Sequence, residues 1–282
     1  MKNIKKYFRS FLETANVAVT KQETFDRLIT SEQKLKRYDA FLLFAARVSD
    51  QYLKRALSLL PESKGEIFQD IFVALILNEK RGGFFVEFGA TDGVIGNNTW
   101  LLEQNFSWNG LLAEPARVWH EQLAKNRSCI ISHDCVWTES GRNLEFRETS
   151  DAGFSSLSDY AGRDRHVRHR ADAKIYDVRT VSLDDLLKSA CAPRSIDFMS
   201  IDTEGSEYDI LRVFPFEDWN ISLITVEHNF RADRDNMHSL LRSKGFVRVL
   251  TDLSQFDDWY VSEDLAPQVA AVFHDCRETF PV

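Results

Sequence analysis

Short, mostly apolar segments that alternate with amphipathic ones are the feature of this sequence that most limits its fold. The apolar segments are Phe84–Phe88, Gly110–Ala113, Cys129–His133, Ile196–Ile201 and Ile221–Val226. Strands without a polar face are typical of parallel sheets that helices cover on both sides. Two later segments, Phe246–Leu250 and Val269–Phe273, are predicted to complete the sheet. The pattern therefore predicts an α/β fold with a mostly parallel, seven-stranded sheet.

Residues 1–80 have a different composition, with few turn residues and many helix formers. We predict a helical N-terminal extension over 1–80 and an α/β domain over 81–282. The capping-box spacing of Ser63–Glu66 predicts a helix start there, and the helix should end before Gly82 and Gly83. The extension is also a candidate lid or homodimer contact.

Residues 1–15 form an amphipathic segment, with apolar side chains on one helical face and lysines off it. Packing on the main domain is the preferred interpretation, and peripheral contact with an anionic membrane surface is the alternative. No apolar run is long enough for a transmembrane helix.

Charge and cysteine content narrow the function classes. The net charge of -8 does not favour general nucleic-acid binding. Four cysteines, Cys129, Cys135, Cys191 and Cys276, lack the close pairs of a zinc site. They are interpreted as reduced thiols, and a cytoplasmic protein is expected.

The loop after the first strand is the first candidate ligand site, since ligands of open parallel sheets bind beyond the carboxyl ends of the strands. It contains Glu87, Gly89, Ala90, Asp92 and Gly93. The two glycines allow a tight turn and close approach of a ligand to the backbone. Carboxylates favour a cationic ligand such as S-adenosylmethionine and repel the pyrophosphate that a G-x-G-x-x-G loop would bind.

The next two strand ends add candidate cofactor residues. Glu114 follows the second strand, where a carboxylate can accept hydrogen bonds from ribose hydroxyls, and Pro115 suits the first turn of the next helix. After the third strand, Asp134 could accept from the adenine amino group and the Cys135 N–H could meet a ring nitrogen. A plain polar loop is an equally good interpretation of Asp134 and Cys135, and Glu114 would also serve NAD.

Carboxylates concentrate after the fourth and fifth strands. Asp202 and Glu204 follow one strand, and Glu227 and His228 follow the other. Two interpretations stay open. Asp202, Glu227 and His228 could bind a divalent ion such as Mg²⁺ or Mn²⁺. Alternatively, His228 acts as a general base that Asp202 orients, with Glu204 as a third candidate catalytic residue and Asp202 also touching the cofactor. A lone histidine is, however, more often structural.

Several segments together resemble the FkbM family of methyltransferases. The matching segments are VEFGATDG, NNTWLLEQ, LLAEP, SSL, VRTVSLDDLL, IDFMSIDTEGSEYDIL and ITVEHN. The resemblance implies a Rossmann-like class I methyltransferase fold and S-adenosylmethionine as donor. It implies O-methylation of sugars in surface polysaccharides or of natural products. It also places Asn98 at the start of the helix that follows the loop after the first strand.

The expected function is therefore S-adenosylmethionine-dependent O-methylation of a nucleotide sugar, glycolipid, polysaccharide or natural product. The alternatives are an NAD(P)-dependent oxidoreductase on a similar fold and a non-catalytic cofactor-binding module. A basic run, Arg163–Arg170, is either a solvated loop or a clamp for a phosphate of the acceptor.

Overall fold

The computed structural model describes residues 37–149, 155–158, 160 and 173–274. The chain divides into two compact units, 1–43 and 44–282. Of the first unit only residues 37–43 are described, and they are helical. The domain boundary expected at residues 80 and 81 stays a prediction, and the amphipathic segment 1–15 and the basic run 163–170 lie outside the described residues.

Helices and strands of the second unit follow the predicted alternation. The helices are α1 Asp50–Leu59, α2 Gln69–Ile76, α3 Trp100–Phe106, α4 His120–Asn126, α5 Leu183–Ser189, α6 Glu207–Val213, α7 Arg234–Ser243 and α8 Ala266–Val272. The strands are β1 Phe84–Phe88, β2 Asn109–Ala113, β3 Ile130–Ser132, β4 Cys135–Trp137, β5 Asn143–Glu148, β6 Ser156–Leu157, β7 Lys174–Ser182, β8 Ser195–Ile201, β9 Asn220–Glu227, β10 Phe246–Val249 and β11 Asp257–Ser262. Among the described residues, no helix has the length and apolarity needed to cross a bilayer.

The predicted seven-stranded sheet is confirmed, with strand order β10-β11-β9-β8-β1-β2-β3. All neighbouring strands are parallel except that β11 runs antiparallel to both β9 and β10. The chain moves outward from β1 through β2 to β3 and then returns to β8 on the other side of β1. Loops after β1 and β8 therefore diverge at this point, which is where sheets of this kind bind ligands.

The chain segment between β3 and β8 forms a second sheet. Its strand order is β4-β7-β5-β6. The strand predicted at Ile175–Val181 is confirmed as part of β7, and Ser182 caps α5 by accepting a hydrogen bond from the Asp185 N–H at 3.1 Å. Phe146, Leu157 and Tyr160 pack with Cys135 in a small apolar cluster beneath this sheet. The described residues between β3 and β8 thus add a second sheet to the α/β domain.

The strand predicted at Val269–Phe273 is wrong, because this segment forms α8. The remaining strand of the main sheet is β11, Asp257–Ser262, which begins with two buried aspartates. A short apolar run fits a buried helix as well as a strand, and Pro267 in the first turn favours the helix. Polar residues at the start of β11 hid it from a search for apolar runs.

The helix start predicted at Ser63–Glu66 is also wrong, because α2 begins at Gln69. Buried Asp70 organises the preceding turn instead. Its carboxylate accepts from the Ser63 hydroxyl at 2.8 Å and from the backbone N–H groups of Lys64 and Gly65 at 2.7 and 3.1 Å. The polar residues that looked like a cap therefore belong to a turn held by a carboxylate from inside the helix.

An aromatic cluster joins α2 to the main sheet. Phe72 of α2 stacks on Trp259 of β11 with ring centroids 4.7 Å apart, and Phe44 and Phe273 pack on the same pair. Phe72 and Trp259 are both fully buried. Burial of four aromatic rings holds α2 and α8 on the face of β11.

We predict that Phe72→Ala lowers the free energy of unfolding by about 3–5 kcal/mol, since it removes a buried ring and leaves a cavity. Leu57→Ala on α1, where the side chain is 51% exposed, is the control and should cost less than about 0.5 kcal/mol. Urea denaturation monitored by circular dichroism measures both. Equal losses in the two variants would contradict the role given to the cluster.

Candidate active site

A cleft at the carboxyl edge of the main sheet is the candidate active site. Including its open solvent, the space measures about 580 Å³. Among the described residues it is lined by Phe88, Gly89, Thr91, Ala113, Glu114, Pro115, Cys135, Val136, Phe146, Ser155, Leu157, Asp202, Thr203, Glu204 and Ser206. Six predicted site residues are thus brought together: Gly89, Glu114, Pro115, Cys135, Asp202 and Glu204.

Gly89 is required by the adjacent strand end. Its φ is +85°, and a Cβ built there would lie 1.9 Å from the carbonyl oxygen of Asp202. Its N–H donates to the Ala113 carbonyl at 3.1 Å. The backbone at Gly89 is therefore in close contact with β2 and β8 together, and no other residue fits.

Gly93 was expected to let a ligand approach the loop, but its neighbour in the structure is the side chain of Arg127. Its φ is +78°, and a Cβ there would lie 2.6 Å from the Cγ of Arg127. The second glycine of the loop therefore makes room for a buried arginine, and it does not line the cleft in the described residues. Sequence reasoning did not identify Arg127, since a single arginine after a helix has no recognisable pattern.

The other predicted loop residues support the loop from behind. Glu87 accepts from the Asn98 N–H at 2.9 Å and from the Thr99 hydroxyl at 2.5 Å. Asp92 accepts from the N–H groups of Val94 and Ile95 at 2.9 and 2.8 Å. Buried Ala90 receives a long hydrogen bond at its carbonyl from the Asn97 amide, 3.5 Å. Glu87, Ala90, Asp92 and Asn98 shape the loop without lining the cleft.

Glu114 lies inside the cleft and is almost fully buried. Its two oxygens accept from the N–H groups of Thr91 and Ala116, each at 2.8 Å. Burial raises the pKa of Glu114 to about 7, and repulsion from Asp202 and Glu148 adds to the shift. Glu114 therefore links the loops after β1 and β2 and retains lone pairs for a ligand hydroxyl.

The second sheet contributes an apolar wall. Cys135 and Val136 of β4 line the cleft together with Phe146 of β5 and Leu157 of β6. Burial raises the pKa of Cys135 to about 12, so the thiol is neutral. Asp134 does not line the cleft in the described residues, and its N–H donates to the Ser132 hydroxyl at 3.2 Å. Phe146 carried no sequence signal, whereas Ser155–Leu157 lies in a segment that resembles the family.

Three carboxylates converge at the ends of β8 and β9. Oxygens of Asp202, Glu204 and Glu227 lie within 4.8 Å of one another. Burial, followed by repulsion from Glu207, raises the pKa of Asp202 to about 7, and burial next to Asp202 raises the pKa of Glu227 well above its ordinary value. The Oδ1 atom of Asp202 is buried and has no hydrogen-bond partner. Such a cluster suits a hard cation.

His228 is not part of this carboxylate cluster. Its Nδ1 accepts from the Phe230 N–H at 2.9 Å, and its Nε2 lies 3.0 Å from the Asp257 carbonyl. Because Nδ1 acts as an acceptor, Nε2 carries the proton and donates. Both ring nitrogens of this buried histidine are therefore used by the backbone. The geometry places Glu204, in place of His228, with Asp202 and Glu227.

Glu207 is the third acid of the segment that follows β8, after Asp202 and Glu204. It accepts from the N–H groups of Thr203 and Gly205, both at 2.9 Å, and pairs with Arg231 at 3.1 Å. This carboxylate is buried and holds the turn before α6. Of the acids after β8, Asp202 and Glu204 face the cleft and Glu207 stabilises the backbone.

Non-glycine residues with positive φ occur at three strand ends around the cleft. They are Thr91 after β1, Glu204 after β8, and Asn229 and Phe230 after β9, with φ of 48°, 56°, 43° and 57°. Such backbone conformations are costly and persist where the surroundings enforce them, often at functional sites. Their location agrees with a site at this edge of the sheet.

We predict that Gly89→Ala destabilises the protein by at least about 2 kcal/mol more than Gly141→Ala, because the new Cβ meets the Asp202 carbonyl. Gly141 is a matched control, since its φ is +82° and a Cβ there has nothing within 4 Å. Denaturant unfolding of both variants measures the difference. Similar losses would show that strain at φ alone, without the contact to β8, explains the glycine.

Three of the known structures that resemble this chain are distant from it in sequence. A precorrin-6y C5,15-methyltransferase from Geobacter metallireducens has 10% identity and a TM-score of 0.36 over 68% of this chain and 86% of its own. A putative sarcosine dimethylglycine methyltransferase from Galdieria sulphuraria has 13% identity and a TM-score of 0.33 over 67% and 66%. The [4+2]-cyclase SpnF has 14% identity and a TM-score of 0.32 over 73% and 66%. No curated protein matches the chain.

The family comparison is decisive. The methyltransferase FkbM domain matches residues 87–259, which is more than half of the chain. The matched region runs from β1 into β11 and contains every cleft residue described above. The chain therefore belongs to the FkbM family of S-adenosylmethionine-dependent methyltransferases and has the class I methyltransferase fold.

Proposed function

We propose that the protein is an O-methyltransferase that transfers the methyl group of S-adenosylmethionine to a hydroxyl of a sugar or natural product. The observation that carries this proposal is that the Gly89 backbone, the Glu114 carboxylate and the carboxylates of Asp202 and Glu204 line one cleft, with Glu227 close to the last two. Glycine allows close approach to the backbone, and carboxylates favour a donor with a sulfonium and an ammonium group.

The cleft supports specific roles for the donor's parts. Glu114 is suited to the ribose hydroxyls, because a carboxylate accepts hydrogen bonds from both of them. The wall of Val136, Phe146 and Leu157 offers apolar surface to the adenine ring. Asp202 and Glu204 provide negative charge near the cationic end. An oxidoreductase would need a phosphate-binding loop, and the carboxylates of this site oppose a pyrophosphate.

Methyl transfer needs alignment of the acceptor and removal of its proton. The acceptor oxygen attacks the methyl carbon, the sulfur leaves as a neutral thioether, and the hydroxyl proton is released. Holding the two reactants in line can contribute roughly 7–11 kcal/mol in favourable cases. The backbone bonds of His228 leave it no free lone pair for the proton. Among the described residues at the cleft, the carboxylate cluster is a group that can accept this proton.

We propose that Asp202, Glu204 and Glu227 hold a divalent cation, Mg²⁺ or Mn²⁺. Their oxygens lie close enough to share one ion, and Asp202 Oδ1 is buried without a partner. A cation held by these three carboxylates would supply Lewis acidity to the acceptor hydroxyl and so favour loss of its proton. Neighbouring hydroxyls of a sugar are suitable additional oxygen ligands, which supports a nucleotide sugar, glycolipid or polysaccharide as acceptor.

The demethylated product, S-adenosylhomocysteine, should bind the purified protein, whereas NAD should not. Glu114→Gln should weaken this binding about 10- to 100-fold, because the amide replaces one of the two acceptor oxygens with a donor. Isothermal titration calorimetry measures both, with exposed Glu121→Gln as control. Absence of binding to the wild type would refute the proposal. Absence of methyl release with every acceptor tested would favour a non-catalytic binding module.

Removal of divalent ions should lower methyl transfer at least 10-fold, and Mg²⁺ or Mn²⁺ should restore it. Glu227→Gln should raise the Mn²⁺ dissociation constant by a similar factor, since one anionic ligand is lost. Exposed Glu217→Gln is the control. Titration of Mn²⁺ by electron paramagnetic resonance gives a readout independent of turnover. Full activity in excess chelator would rule out the cation and leave the carboxylates as proton acceptors.

A further inference from the structure

A buried arginine lies behind the loop that follows β1. Arg127 directly follows α4, and its side chain is fully inaccessible to solvent. Its Nε donates to Glu103 of α3 at 2.6 Å, and Glu103 is itself 6% exposed. Burial of two opposite charges is stable only when their hydrogen-bonding groups are satisfied.

The partner carboxylate is fully satisfied. Glu103 also accepts from the N–H and hydroxyl of Ser128 at 2.9 and 2.6 Å. Burial raises its pKa, but the Ser128 hydrogen bonds and the charge of Arg127 outweigh that effect and lower it. The carboxylate is therefore ionised and anchors one edge of the guanidinium, which leaves both Nη groups available for other contacts.

Both Nη groups bind the loop of residues 89–99, named here the cofactor loop. Nη1 donates to the Gly93 carbonyl at 3.2 Å and to Asn97 Oδ1 at 2.8 Å, and Nη2 donates to the Thr99 hydroxyl at 2.9 Å. The Asn97 oxygen also accepts from the N–H groups of Thr99 and Trp100 at 3.1 and 2.8 Å. One planar fork thus fixes the last half of the loop and the start of α3.

The front of the same loop forms the cleft. Gly89 and Thr91 line it, and the Thr91 N–H donates to Glu114 at 2.8 Å. The Thr99 hydroxyl that Arg127 contacts donates to Glu87 at the end of β1. Hydrogen bonds therefore connect Arg127 to both ends of the cofactor loop, while the arginine itself lies outside the cleft lining.

We propose that Arg127 is a positioning residue for donor binding, which holds the cofactor loop in the conformation that presents Gly89 and Thr91 to S-adenosylmethionine. This inference rests on the proposed function, in which the donor occupies the cleft. A guanidinium is needed because one side chain must donate to three loop acceptors and to Glu103 at the same time. The ammonium of lysine can pair with Glu103 but cannot reproduce the fork.

The test compares Arg127→Lys with the wild type and with Arg142→Lys, a control in which a surface arginine pairs with Glu139. Calorimetry with S-adenosylhomocysteine is performed well below the melting temperature of every variant. Arg127→Lys is expected to stay folded by circular dichroism and to raise the Kd about 10-fold or more, since its loop hydrogen bonds are lost. Arg142→Lys should bind like the wild type.

A purely structural role would lower the melting temperature of Arg127→Lys and leave the Kd of the folded protein unchanged, which would overturn the inference. Failure of the wild type to bind would refute the proposed function instead. Should Arg127→Lys not fold, Thr99→Val removes the Nη2 acceptor and keeps the ion pair with Glu103. It is expected to raise the Kd severalfold, and an unchanged Kd would contradict the inference.

Discussion

Close backbone contact between the ends of β1 and β8 is the constraint on which the cleft depends. The Asp202 N–H donates to the Phe88 carbonyl at 3.1 Å, and the next residue, Gly89, has no room for a Cβ beside the Asp202 carbonyl. The two strands are parallel neighbours, so their following loops start from the same edge. Because the loops begin in contact and then separate, a space opens between the β1 loop, Glu114 and the acids after β8.

The acids around this space have two separate functions. Glu87, Asp92 and Glu207 accept main-chain N–H groups and hold the turns that follow the strands. Asp202 and Glu204 instead line the cleft. Buried carboxylates with backbone donors stabilise a loop, whereas converging carboxylates repel one another until a cation or a proton joins them. The first group therefore maintains the shape of the site and the second provides its charge.

Strands were predicted well where apolar residues dominated the segment. β1, β8 and β9 are mostly apolar and mostly buried, and the sequence places them within about one residue of their observed ends. Prediction failed at β11, whose first residues, Asp257 and Asp258, are charged and buried. Asp258 is held there by ion pairs with Arg234 and Arg248, which come from other elements. A buried charge is acceptable only in the presence of such partners, and their proximity cannot be read from local composition.

The amino-acid sequence alone established the α/β alternation, the strand ends that carry polar residues, and the acidic, glycine-containing loop of the FkbM family. These features are local, because hydrophobic period and turn chemistry act over a few residues. Tertiary packing decided three other features. They are the choice of acids that face the cleft, the hydrogen bonds of His228 to the backbone, and the contacts on which the role proposed for Arg127 rests. In each case the deciding contact joins residues far apart in the chain, such as His228 with Asp257 or Arg127 with Gly93. Hydrogen-bond partners and burial are defined only in the assembled fold. Residue type alone therefore does not tell a structural side chain from a functional one.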